Sequence, residues 1–153
     1  MSNTTTSTGE RLVIRRKVNA KRDRVWKAWT NKDEMAVWSA PEGMNVSEYQ
    51  TDLRVGGAYR LTMLQPNGEE FIAKGVYREI TPPAKLSYTW TWEEDTPAQE
   101  RETLLTIEFL DLGEQTEVIL THENLASVES RNNHEGGWNQ FLDKLGRYLE
   151  SPR

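Results

Sequence analysis

The stretch HEGGWNQFLDKLGRYLE, residues 134–150, decides how this chain is read. Its second half has the spacing of an amphipathic helix, but Gly136 and Gly137 sit one turn earlier, between a histidine and a tryptophan. Positions 127, 134, 138, 141, 145 and 148 share one face at 3.6 residues per turn. Ser127 is a residue type that caps helix starts. That continuity predicts one helix from about Ser127 to Glu150, roughly 36 Å long. A shorter helix preceded by a glycine loop stays open. Inside a helix each glycine costs roughly 1 kcal/mol against alanine, so something must offset the loss. Close packing against a sheet wall or another helix is the commoner origin, and a space left for a ligand is the other.

Upstream, the chain reads as strands. RLVIRRKV alternates Leu12, Ile14 and Val18 against charges. KRDRVWKAWT puts Val25, Ala28 and Trp29 on a helical face, and Asn31 with Glu34 matches a capping box that starts a second short helix, ended by Pro41. Tyr59, Leu61 and Met63 then alternate in GGAYRLTML, and Asn67-Gly68 is a two-residue hairpin signal. FIAKGVYREI is ambiguous in period, with Gly75 expected at a bulge or close approach, and Pro82-Pro83 breaks it. In KLSYTWTWE, Leu86, Tyr88, Trp90 and Trp92 face one way; Leu105, Ile107 and Phe109 do so next, then Val118, Leu120 and His122. Strands gathered in a row with helices at the ends give an α+β class with a curved antiparallel sheet of about six or seven strands. Such a sheet, with one long helix to cover its apolar face, must curl round that helix.

Composition narrows the function. The 153 residues predict one domain, and without cysteine there is no disulfide framework or thiolate metal site. A net charge of −5 argues against a nucleic-acid surface, and the basic residues around Arg15–Lys17 and Lys21–Arg24 read as a solvated edge. MSNTTTSTGE lacks the apolar core of a signal peptide and predicts a disordered tail over residues 1–10. There is no apolar run long enough to span a bilayer, so a cytoplasmic protein without membrane contact is expected.

Five ordered stretches carry a resemblance: VWKAWTNKDEMAVWSAP (25–41), DLRVGGAYR (52–60), GVYREITPPAKLSYTW (75–90), TEVILTH (116–122) and residues 134–150. Together they resemble the family of activator of Hsp90 ATPase homologues, within the START-like (SRPBCC, helix-grip) superfamily, over nearly the whole chain after the tail. The resemblance implies a single START-like domain over 11–150, a helix-grip fold with two short helices after the first strand, and a cavity between sheet and long helix that takes an apolar small molecule in many relatives. Two positions depart from the family pattern: Lys21 replaces a usual proline, and Trp38 to Pro41 reads WSAP where Trp-Trp-Gly-Pro often follows. The eukaryotic co-chaperone pairs this domain with a separate N-terminal one for which 153 residues leave no room, so an Hsp90-type chaperone partner is not the expectation.

The candidate ligand-binding set is Trp38, Tyr59, Tyr88, Trp90, Trp92, His122, His134, Trp138 and Phe141. Six tryptophans point equally to an aromatic-lined pocket and to a filled core. His122 and His134 fall on inward faces, as hydrogen-bonded core histidines first and ligand anchors second. No nucleophile elbow, phosphate loop or metal-ligand spacing occurs, so no catalytic residue, cofactor or metal is expected. Glu93, Glu94 and Asp95 read as a solvated run; Glu48 and Asp52 fall in a strand of undecided facing. The leading expectation is a binder of a small apolar or aromatic molecule. A cyclase-like enzyme using the same cavity and a chaperone-associated adaptor are the alternatives, and a homodimer is left open.

Overall fold

The computed structural model describes residues 9–40, 43–93 and 102–150. The order is β1 (Glu10–Val18), α1 (Arg22–Thr30), α2 (Lys32–Trp38), β2 (Asn45–Thr51), β3 (Ala58–Leu64), β4 (Glu70–Thr81), β5 (Lys85–Trp92), β6 (Thr103–Asp111), β7 (Thr116–Leu125) and α3 (Val128–Glu150). Of the tail expected over 1–10, residues 1–8 lie outside the described residues, and Glu10 already opens β1. Pro41, Glu94 and Asp95 also lie outside them.

Seven strands form one sheet in the order β1-β7-β6-β5-β4-β3-β2, every neighbour antiparallel. From β2 to β7 the chain meanders, so each pairing is local in sequence. Helices α1 and α2 carry it between the two edges, β1 and β2. Helix α3 then meets strands from across the sheet. Arg16 on β1 donates to Asp143 at 2.5 Å and Asn139 at 3.0 Å. Trp138 reaches His122 on β7 and Trp90 on β5, and Lys144 reaches the Met44 carbonyl just before β2 at 3.4 Å. One helix touches so many strands only if the sheet curls round it, which is the α+β helix-grip arrangement. Among the described residues no helix is long and apolar enough to cross a membrane.

Local chemistry explains most boundaries. Ser127 caps α3 by accepting from the Ser130 N–H at 3.0 Å. Asn31 caps α2, accepting from the Glu34 N–H at 3.1 Å. The return half of the capping box goes elsewhere: Arg24 and Tyr148 donate to the Glu34 carboxylate at 2.6 and 2.8 Å, tying α1 and α2 to α3. The Asn67-Gly68 hairpin forms with a longer connection than two residues. Pro66, with its preset φ, takes the second position of a turn closed by Gly68 N–H to Gln65 C=O, and Gly68 alone of the pair is left-handed, at φ 91°. Gly75 is a close approach: a Cβ there would lie 2.0 Å from the Thr89 carbonyl oxygen. The bulge in that pairing falls further on, between Tyr77 and Glu79.

The core gathers on the sheet's inner face. Leu105, Ile107, Phe109, Val118 and Leu120 are buried as their alternation predicts, beneath Trp138, Phe141, Leu142 and Leu145 of α3.

Candidate functional site

Helix α3 is continuous through Gly136 and Gly137, which removes the glycine-loop alternative. Close packing is not what offsets their cost, because a Cβ built at either glycine meets no atom within 4 Å. Gly137 instead borders a cavity of about 580 Å³ between α3 and the sheet. Trp90 and Trp92 of β5, Met63 of β3, Phe71 of β4 and Met44 line one side. Asn133, His134, Gly137, Trp138 and Phe141 line the other. That volume is within the usual range for a small-molecule site, and the walls are aromatic rings and thioethers. We expect Gly136→Ala and Gly137→Ala each to stabilise the protein by about 0.5–1 kcal/mol in denaturant melts, as alanine restores helix propensity without a clash. A loss of stability at either position would restore the packing account.

Each histidine accepts a hydrogen bond from an indole N–H. The Trp138 indole N–H, which can only donate, meets His122 Nδ1 at 3.0 Å. Nε2 of His122 therefore carries the proton and donates to Thr103 Oγ1 at 2.7 Å, and that hydroxyl donates onward to the Trp90 carbonyl at 2.6 Å. The Trp92 indole N–H likewise meets His134 Nε2 at 3.1 Å, so His134 Nδ1–H donates to the Ser130 carbonyl at 2.8 Å. The two imidazole centroids are 5.0 Å apart, edge to face. Burial, with the neighbouring His134 ring adding to it, pushes the His122 pKa down to about 3.

The structure divides the nine candidate residues. Trp90, Trp92, His134, Trp138 and Phe141 come together on the cavity wall. Trp38, Tyr59, Tyr88 and His122 do not; they are core residues with their polar atoms engaged. Trp38 donates to the Ala28 carbonyl at 2.9 Å and packs edge-on against Trp29 and Phe141. Tyr88 accepts from the Trp29 indole at 3.1 Å, and Tyr59 donates to the Thr89 carbonyl at 2.5 Å. His122 is fully buried with both ring nitrogens bonded, the core role rather than the anchor role. Periodicity gives the facing of a side chain but not its depth, which separates these two sets.

Met44, Met63, Phe71, Asn133 and Gly137 were not among the candidates. Met63 carried a signal in its strand alternation, and Gly137 in the glycine pair. Phe71 was masked by the ambiguous period of β4, whose bulge shifts register between Tyr77 and Glu79. The carboxylates weighed for acid–base work are elsewhere: Glu48 and Asp52 are exposed, and Glu93 is gripped by Arg60 at 2.7 and 2.9 Å.

The sequence profile of the family described as activator of Hsp90 ATPase homolog 1-like protein matches residues 19–150. Among solved structures, a protein of Chromobacterium violaceum superposes with a TM-score of 0.84 at 25% identity, covering 93% of this chain and 98% of that one. The AHSA1 protein of Silicibacter pomeroyi superposes at 0.80 with 25% identity, over 92% of this chain and 97% of that one. A protein of Arthrobacter aurescens, at 19% identity and a TM-score of 0.82, shares the fold over 97% of this chain and 90% of its own. No curated protein matches the sequence.

Proposed function

The chain belongs to the activator of Hsp90 ATPase homolog 1-like family, and from that premise we propose that its cavity binds a small apolar or aromatic molecule. The observation that carries this reading is the pair Gly136–Gly137. They are helix-interior glycines with nothing packed on them, and Gly137 opens onto a space of about 580 Å³ walled by tryptophan, phenylalanine and methionine. The roughly 1 kcal/mol that Gly137 costs the helix beside an apolar cavity is accounted for by an occupant of that cavity, whereas Gly136 is exposed and does not line it. Retention is favoured over turnover because the one imidazole at the wall among the described residues, His134, is committed to the Trp92 indole donor, and no carboxylate of the described residues lines the space. An adaptor reading calls for a filled core instead.

The test uses N-phenyl-1-naphthylamine, a neutral dye that brightens in apolar surroundings. The wild type should give a saturable rise in emission. Gly137→Leu, whose side chain projects into the cavity, should weaken binding by about tenfold or more while circular dichroism stays native. Absence of a saturable rise, or equal affinity in the variant, would overturn the proposal. Native mass spectrometry of gently purified protein should in addition show a co-purifying small molecule.

A further inference from the structure

Six rings line the cavity, and five of them are locked to one another. Trp90 lies 5.5 Å from Trp92 and 4.9 Å from Trp138, Trp138 meets Phe141 at 4.8 Å, and Trp92 meets His134 at 6.1 Å between centroids. These are the separations of aromatic pairs in contact. The Trp92–His134 hydrogen bond pins the network between β5 and α3. Phe71 is the sixth ring, and it stands apart from this network, with no ring in contact with it. The chain holds no further ring that could reach it, because every Trp, Tyr, Phe and His of the sequence lies among the described residues.

Phe71 is half-buried on β4 and shares the inner face of the sheet with Ala73 and Tyr77. Its register partner on β3 is Met63, and half-buried Met44 borders the same space. Thioether side chains are unbranched and rotatable, so these two adapt to a neighbour rather than impose an outline. One part of the cavity wall is therefore fixed by ring contacts and a hydrogen bond, and another part, around Phe71, is adaptable. Any apolar guest would cover the Phe71 ring. Only an aromatic guest would also supply the edge-to-face or offset contact that the other five rings obtain from each other, together with a sulfur–ring contact at Met44 or Met63.

We infer that the ligand presents an aromatic ring to Phe71, and that Phe71 makes the site prefer aromatic molecules over saturated ones of the same carbon skeleton. The inference rests on the cavity reading above and narrows its occupant from apolar or aromatic to aromatic.

Isothermal titration of 2-naphthalenemethanol and its saturated counterpart, decahydro-2-naphthalenemethanol, tests it near neutral pH. Both are uncharged alcohols. Saturated rings carry the larger apolar area, so transfer out of water alone favours the decahydro compound. On the wild type the aromatic alcohol should nevertheless bind about tenfold more tightly, the effect of one or two ring contacts. Phe71→Leu keeps an apolar side chain without the ring and should remove that preference, with the affinity for the saturated alcohol changed by no more than about twofold. The wild-type pair decides even where that variant does not fold. Equal affinities, or tighter binding of the saturated alcohol, overturn the aromatic assignment and leave the cavity reading standing. A preference that persists undiminished in Phe71→Leu overturns the role of Phe71. If neither alcohol binds the wild type, the cavity reading falls too.

Discussion

Trp138→Ala is expected to lower the unfolding free energy by about 4 kcal/mol. Trp138 is 3% exposed, with Phe141 at 4.8 Å and Trp90 at 4.9 Å between ring centroids, so truncation opens a void in a cluster of rings. It also orphans His122 Nδ1, which has the Trp138 indole as its donor. The two contributions separate with Trp138→Phe, which keeps most of the ring and loses the N–H; that variant should cost about 1–3 kcal/mol, the range for an unmatched buried group. Because the same ring lines the cavity, both variants should also change the response of indole fluorescence to N-phenyl-1-naphthylamine. Urea melts of the three proteins supply the measurement. A loss below about 1 kcal/mol for Trp138→Ala would mean that the ring is not packed as described.

Acid should destabilise the protein well above the range in which ordinary carboxylates titrate, through His122. Its pKa falls from 6.5 to about 3 on folding because burial penalises the imidazolium. Between those values the unfolded chain holds one more proton than the folded one. The stability that this group contributes is therefore complete above about pH 6.5 and declines by about 1.4 kcal/mol per pH unit as pH falls toward 3. From about pH 7 to about pH 5 the wild type should lose about 2 kcal/mol by this route. His122→Gln offers an acceptor and a donor without titrating, so its melts should lack that component while sharing the background from other groups. Equal pH slopes in the two proteins would show that the buried ring accepts a proton without cost.

Much of the architecture is legible locally. Alternation along β5 assigns Tyr88, Trp90 and Trp92 to one face, and the spacing of 134, 138, 141 and 145 gives α3 one face on both sides of its glycines. Ser127 and Asn31 mark helix starts because a cap needs only the next turn of backbone. The site is less legible. Trp90 and Tyr88 are two residues apart on one face, yet one borders the cavity and the other is enclosed beside Trp29 and Tyr59. What separates them is where α3 lies above the strand, which neither residue's neighbours in sequence encode.

By itself the sequence determined the class of fold, the facing of the strands that alternate cleanly and the shared face of α3, since these follow from periodicities of two and 3.6 residues and from short-range capping; the facing of β2 and β4 and the passage of α3 through its glycines waited for the structure. Tertiary structure alone decided the partners. Glu34 is drawn from its cap into bonds with Arg24 and with Tyr148, 114 residues away, and each imidazole is paired with an indole from another element. It also decided that the space beside Gly137 stays open and that the Trp90 N–H goes unmatched. Facing is a property of one element's backbone, whereas a void or an unmet hydrogen bond exists only once several elements have closed around it.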